Sequence, residues 1–252
     1  MSRLPWIVVL VVPMLLSCTG RPAGEGSVNA MLDGAVFVTA PVAGVVVSAY
    51  ALDLDDGAPG GLVAQSMPTD ESGGYHLDLG SFHGPLVLIA RGVGGTYVEP
   101  ATGVSVHWDT STELRAVFAA RGSGPDLRLA LDTGEQATAI LSPWSDWAVA
   151  YSTARLKARR DARYADALAH ALERFRDHVE LDYWTVTATV MSSGPVGAWN
   201  ESVQAGVLLS ALSALTAGMA SESQLSAAGL SSLALVAAVR DDLTDPQRSS
   251  TA

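Results

Sequence analysis

The stretch Val45-Val46-Val47-Ser48-Ala49-Tyr50-Ala51-Leu52 decides how the first half of this chain is read. Successive side chains of an extended segment point to opposite faces, so Val45, Val47, Ala49 and Ala51 share one face and Val46, Ser48, Tyr50 and Leu52 the other. Both faces are partly apolar, as expected of a sandwich strand. The neighbouring segments repeat the theme. Pro85 to Ala90 is a continuous apolar run, Val104, Val106 and Trp108 alternate with Ser105, His107 and Asp109, and Leu127, Leu129 and Leu131 flank Arg128 and Ala130. Short strands at this spacing from Val28 to Leu131 predict an all-β sandwich. Turn residues separate them: Asp53-Leu54-Asp55-Asp56-Gly57 with Pro59-Gly60-Gly61 makes a polar loop, and Asp70-Glu71-Ser72-Gly73-Gly74 a tight turn before Tyr75.

Three pieces of this region, Gly34-Ala35-Val36, Pro41-Val42-Ala43-Gly44-Val45-Val46-Val47 and Thr69-Asp70-Glu71-Ser72-Gly73-Gly74-Tyr75-His76-Leu77, together resemble the carboxypeptidase regulatory-like domain. The resemblance implies a transthyretin-like or immunoglobulin-like sandwich with no catalytic activity of its own. Val45 stands where that family often has alanine, and the acidic Gly-Pro loop is long for it. Thr96 to Gly103, Leu114 to Val117 and Leu141 to Ala148 are similar to the junction in a group of bacterial surface lipoproteins that join such a module to a helical C-terminal region.

The N-terminus reads as an address. Met1-Ser2-Arg3 precedes an apolar run from Leu4 to Leu16, then Ser17-Cys18, the layout of a secretory signal. The run is short of the roughly 20 residues that a permanent membrane helix needs. Leu15-Leu16-Ser17-Cys18 resembles the bacterial lipobox, which implies cleavage between Ser17 and Cys18 and acylation of the Cys18 thiol. Two or more acyl chains anchor stably where one is marginal. Residues 18–27 read as a flexible tether. Thr19 stands where an aspartate would favour the inner membrane, so the outer membrane is the expected site.

After Pro143 the composition shifts to alanine, leucine and arginine. Ser145 is expected to cap a helix with Asp146 in its first turn. Tyr164, Leu168, Ala171, Leu172, Phe175 and Val179 recur at helical spacing, which predicts one long or two consecutive helices over 145–179. Leu181 to Met191 reads as a strand or extended connector, and Ser192-Ser193-Gly194-Pro195 as a break. Asn200 is expected to cap a helix to about Ala217, with a last helix from Ser221 to Leu243 bent at Gly229. The last two are apolar enough for membrane insertion to be weighed, but polar interruptions favour a soluble bundle.

The fold class expected is therefore α+β and multidomain: signal peptide 1–17, tether 18–27, β-sandwich 28–131, junction 132–144, helical domain 145–245 and a disordered tail 246–252. The ending after Asp241 is abrupt for the wider lipoprotein group. It suggests either a short member or a chain cut early, which would leave a helical face near Leu233 and Val236 without cover.

Composition narrows function by exclusion. Among 252 residues, hydrophobic residues make up 48% and charged residues 16%, which suits a globular chain. The formal net charge of -11 becomes one unit more negative when residues 1–17 leave with Arg3, and nucleic acid is an unsuitable partner because its binding needs clustered cations. Arg155, Lys157, Arg159, Arg160 and Arg163 form the one dense basic stretch and read as a solvated helix face. The single cysteine, Cys18, leaves no intrachain disulfide and no multi-cysteine metal site.

Candidate chemistry is sparse. The sequence lacks the Gly-x-Ser-x-Gly, His-Glu-x-x-His, phosphate-loop and dinucleotide fingerprints. His170, Glu173, Asp177 and His178 invite a metal reading, yet their spacing suits surface pairing with Arg174 and Arg176 better than one coordination sphere. Asp53, Asp55 and Asp56 offer oxygens to calcium without the EF-hand spacing. Trp108, Trp144, Trp147, Trp184 and Trp199 would stack on sugars or a partner, or else fill cores, with Trp144 and Trp147 placed for interface packing. No metal, cofactor or catalytic residue is assigned. The reading is a lipid-anchored envelope protein that binds a protein or glycan or has a structural role, the alternative being an envelope hydrolase with its groups at the domain junction.

Overall fold

A computed structural model of the chain describes residues 29–109, 111–121, 127–186, 188, 198–223 and 230–245. Ser17, Cys18, the tether, Thr187, Val190, the Ser192 to Pro195 break, Gly229 and the tail 246–252 lie outside the described residues. Strands come first: β1 (Ala30–Val36), β2 (Ala43–Leu52), β3 (Pro59–Gln65), β4 (Gly74–Gly80), β5 (Gly84–Val98), β6 (Ser105–His107), β7 (Glu113–Val117), β8 (Ala120–Arg121), β9 (Leu127–Arg128), β10 (Ala130–Leu131) and β11 (Gln136–Leu141). Helices α1 (Pro143–Lys157), α2 (Tyr164–Val179), α3 (Glu201–Glu222) and α4 (Ser232–Thr244) follow. Mixed sheets followed by helices place the protein in the α+β class.

One sheet has the order β11-β1-β4, and the other runs β10-β5-β2-β3 with β6 and β7 also on β5; β8 and β9 form a separate pair. The β1–β11 pairing is parallel, from Met31 opposite Gln136 to Val36 opposite Leu141. Residues 136–141, within the segment read as a junction, are thus a sheet strand. Parallel partners need a long crossover between them, and no local pattern in 132–144 announces that a strand 100 residues earlier is waiting.

Strand alternation divides the apolar side chains between two cores. Leu32 and Val36 of β1, Val45, Val47 and Ala49 of β2, Leu86, Leu88 and Ala90 of β5, and Leu114 and Ala116 of β7 join Tyr75, Leu77 and Leu79 of β4 in the first. Ala35, Leu52, Val87, Ile89, Val117 and Ile140 face the other way and meet Ala148, Val149, Tyr151, Tyr164, Leu168, Ala171 and Leu172 of α1 and α2 in the second. The helices therefore cover a sheet face. Leu233 and Val236 of α4 are buried against the first core, so that face has cover.

The motif residues of the strand region have concrete tasks. Gly34 lets the Tyr75 side chain cross β1, where an added Cβ would lie 2.6 Å from the Tyr75 hydroxyl; that hydroxyl donates to the Ala139 carbonyl of β11 at 2.7 Å. Thr69 accepts from the Val45 N–H and donates to the Val42 carbonyl at 2.7 Å, tying the turn to β2. Asp70 accepts from the Ser72 hydroxyl and from the Ser72 and Gly74 N–H groups, and these bonds, led by the hydroxyl, hold its carboxyl below the usual range.

The helix ends refine the sequence reading. Ser142, not Ser145, is the N-cap of α1; the two serines form a reciprocal box with Pro143 at the first helical position. Two helices occupy 145–179, separated at 158–163, where Arg159 has φ 54°. The basic stretch straddles this connection, with Arg155 bound to Asp161 and Arg163 to Asp55. Arg163 caps α2 without a side-chain bond. The α2 N–H groups of Tyr164 and Ala165 donate instead to the Asp55 and Leu54 carbonyls at 2.9 and 2.8 Å. Asp182 to Thr185 makes a turn rather than a strand, and the Trp184 carbonyl accepts from Ile140 N–H. Asn200 caps α3 as expected from its side chain, while α3 runs on to Glu222 and α4 starts only at Ser232.

Candidate functional site

Trp144, Trp147 and Tyr151 recur along one side of α1 at spacings of three and four, and Arg174, Phe175, His178 and Val179 do so at the end of α2. Where the two stripes meet, aromatic rings pack edge to face. Trp144 and Trp147 lie 5.0 Å apart between centroids, Tyr151 and Phe175 6.3 Å, Phe175 and Tyr183 6.4 Å, and Tyr183 and Trp184 4.9 Å. The Trp147 indole N–H donates to the Val236 carbonyl at 3.1 Å, fixing α4 to α1. Toward the C-terminal end of α2 the packing stops short. A cavity of ≈ 250 Å³ opens there, lined by Trp144, Tyr151, Phe175, Val179 and Leu243, with the apolar parts of Arg174 and His178 at its edge.

An open hollow of ≈ 550 Å³ beside it shares Arg174 and His178 and adds Arg155, His170 and Asp177. The Arg174 guanidinium lies over the Tyr151 ring, 5.7 Å from its centroid, and that of Arg155 lies 5.8 Å from the same centroid. The nearby carboxylates are engaged by other cations. Glu173 and Asp177 pair with Arg176 at 2.6 and 3.0 Å. Asp161 receives Arg155 at 2.6 Å and His170 at 2.9 Å; the Arg155 bonds chiefly hold its carboxyl low. His178 Nδ1 lies 2.7 Å from the Arg174 carbonyl, an acceptor only, so Nδ1 bears the proton.

The residues weighed as metal ligands thus find separate partners: His170 at Asp161, Glu173 and Asp177 at Arg176, His178 at a backbone carbonyl. Asp53, Asp55 and Asp56 organise a loop. Asp53 and Asp56 accept from the backbone N–H groups of Asp55 and Ala58, and Asp55 pairs with Arg163. Trp108 and Trp184 are buried, while Trp199 is 67% exposed.

Two buried acids join α4 to the strands. Glu99, at the end of β5, accepts from the hydroxyls of Thr39 at 2.7 Å and Ser232 at 2.9 Å, and from the Ser232 N–H at the start of α4. Asp146 is fully buried; its Oδ1 accepts from the Arg115 N–H at 3.0 Å, and its Oδ2 has no hydrogen bond and lies 3.8 Å from Arg240 Nη1. Burial pushes the Asp146 carboxyl up to about 7, opposed first by Arg240. Helix α3 is long and apolar enough to cross a membrane by length and composition, with 44% of its most apolar window buried. Its exposed positions include Val207, Leu215 and Met219.

Sequence reasoning found the stripe through Phe175 and Val179 and the Trp144–Trp147 pair, but not the cavity they border. The available signal was that α1 opens with two tryptophans in its first turns and that the α2 stripe stays apolar through Phe175 to Val179, its last residue; nothing local brings Leu243 to the same place.

No family model matches the chain, and no curated protein does. Among solved structures, the chain is similar to the dioxygenase domain of a dioxygenase carbohydrate-binding protein fusion from the cellulolytic bacterium Streptomyces sp. SirexAA-E. The identity is 16% over 47% of this chain and 82% of that chain, with a TM-score of 0.23, too low for the likeness to support any argument.

Proposed function

We propose that this chain is a lipid-anchored cell-envelope protein with a binding role, cut before Cys18 and held on the outer membrane through that cysteine. In this reading residues 28–131 are a carboxypeptidase regulatory-like β-sandwich, and the helices that follow supply the binding site. The supporting observation is the aromatic cavity at the α1–α2 boundary, which is concave and apolar and adjoins a polar hollow that shares Arg174 and His178 with it. Small-molecule sites have that composition, an apolar lining with a few placed polar groups. An envelope hydrolase would need a nucleophile and a base brought together, and the sequence supplies no motif for them.

Radioactive palmitate labelling of cells that express the wild type and Cys18→Ser tests the anchor. Label confined to the wild type is the expected result, and equal labelling of both removes the anchor from the account. Reaction of one serine with broad hydrolase probes would replace the binding role with an enzymatic one.

A further inference from the structure

Of the cavities, buried acids and exposed apolar faces in this fold, the α1–α2 cavity combines shape with charge. We propose that it takes a small aromatic carboxylate, with the ring among Trp144, Tyr151 and Phe175 and the carboxylate on the Arg174 guanidinium. The inference deepens the binding reading above and rests on it.

Size sets the first limit. At ≈ 250 Å³ the cavity lies just below the roughly 300–1,000 Å³ of drug-sized ligand sites, which suits a single ring and excludes a polycycle. The lining favours a ring over a chain. Trp144 and Phe175 already meet Trp147 and Tyr151 edge to face, and a further ring beside them gains the same quadrupole contacts beyond its area.

Charge sets the second limit. The chain carries a formal net charge of -11, so an anion is repelled by the molecule as a whole and binds only where cations are concentrated. The hollow beside the cavity mouth holds two guanidiniums, Arg155 and Arg174, together with the Asp177 carboxylate. Arg155 and His170 pair there with Asp161, and Asp177 pairs with Arg176, which also holds Glu173. Arg174 instead rests on the Tyr151 ring, at the boundary between the apolar lining and the hollow. A guanidinium placed there presents a planar fork that matches a carboxylate in two parallel bonds. His178 spends Nδ1 on the Arg174 carbonyl. That bond fixes its tautomer and steadies the turn that bears Arg174.

The test uses the full chain carrying Cys18→Ser, titrated calorimetrically with phenylacetate, its neutral analogue phenylacetamide, and octanoate. Phenylacetate is expected to bind at least about tenfold more tightly than phenylacetamide, as a charge-assisted bidentate pair should provide, and more tightly than octanoate, which has the carboxylate but no ring to set among the aromatic side chains. Arg174→Gln, a change on an exposed helix position, should remove the preference for phenylacetate over phenylacetamide. Val179→Trp, which fills the cavity, should weaken both aromatic probes alike; unfolding midpoints of each variant report whether the fold is kept. Equal binding of phenylacetate and phenylacetamide, or tighter binding of octanoate, overturns the aromatic-carboxylate inference and leaves a binding cavity standing. Absence of binding by all three probes overturns the cavity as a binding site, and this inference with it.

Discussion

Replacing Gly57 with alanine should be among the most damaging small changes in the protein, although the residue lies in a polar surface loop. Two costs coincide there. The backbone has φ +75°, and an added Cβ would lie 2.5 Å from Cδ2 and 2.8 Å from Cε2 of Tyr164. Left-handed backbone costs an L-residue about 1–2 kcal/mol. The overlap falls on a buried ring at the first residue of α2, which cannot swing away, and forcing atoms into such packing costs about 1–3 kcal/mol. Together they predict a loss of about 2–5 kcal/mol, or about 4–20 °C in Tm at the 2–4 °C per kcal/mol expected for a domain of this size. Two further glycines isolate the terms. Gly80 has φ +58° with nothing within 4 Å of an added Cβ, and Gly61 has neither problem. Thermal unfolding of the three alanine variants should therefore rank Gly61→Ala near wild type, Gly80→Ala about 1–2 kcal/mol lower, and Gly57→Ala lowest. Amide exchange at Tyr164 and Ala165 should quicken only in the last, because their N–H groups are held by the Asp55 and Leu54 carbonyls of the same loop. If Gly57→Ala loses no more than Gly80→Ala, the loop does not rest on α2 and the argument fails.

Asp146 should make stability fall with rising pH. Its carboxyl is raised by burial to about 7 in the fold from 3.8, so the contribution of the protonated form is complete below the unfolded value and lost as pH climbs through the folded one. The slope is at most about 1.4 kcal/mol per pH unit. Urea midpoints from pH 4 to 8 should flatten in Asp146→Asn relative to wild type, and parallel profiles would show that this acid does not govern the dependence. Glu99→Ala should cost about 2–4 kcal/mol, because it strips partners from the buried Thr39 and Ser232 hydroxyls and from the Ser232 N–H. Exchange protection should fall first at the start of α4; a loss below about 0.5 kcal/mol with unchanged protection would mean that α4 is held elsewhere.

The parts of this fold legible in the sequence are those in which a residue's task is settled by near neighbours. Asp70 bonds its own turn, Asn200 caps its own helix, and the two apolar faces of Val45 to Leu52 follow from the strand period alone. Residues whose task is set across the chain were misread or passed over. Asp53 to Gly57 reads locally as a polar loop, and it joins the antiparallel strands β2 and β3; its second task, holding the start of α2 over 100 residues away, has no local signal. Residues 136–141 looked like a junction because their partner is β1.

The same distinction explains why strands and helices are legible in the sequence while the packing of one on the other is not. A strand with apolar residues on both faces requires cover on both, but its sequence does not say what the cover is. In β2 and β5 one set of alternate side chains meets β4 and the other meets helices encoded after residue 142. The cavity is a consequence of that arrangement. Helices laid on a sheet to cover Val87, Ile89 and Val117 bring the Trp144–Tyr151 stripe against Phe175, and α4, fixed by Trp147 and Glu99, brings Leu243 alongside. The candidate site is thus built where cover from three helices converges without closing. Its residues are legible singly as core-facing aromatics, and only the meeting of α1, α2 and α4 turns them into a concave surface with a guanidinium at its edge.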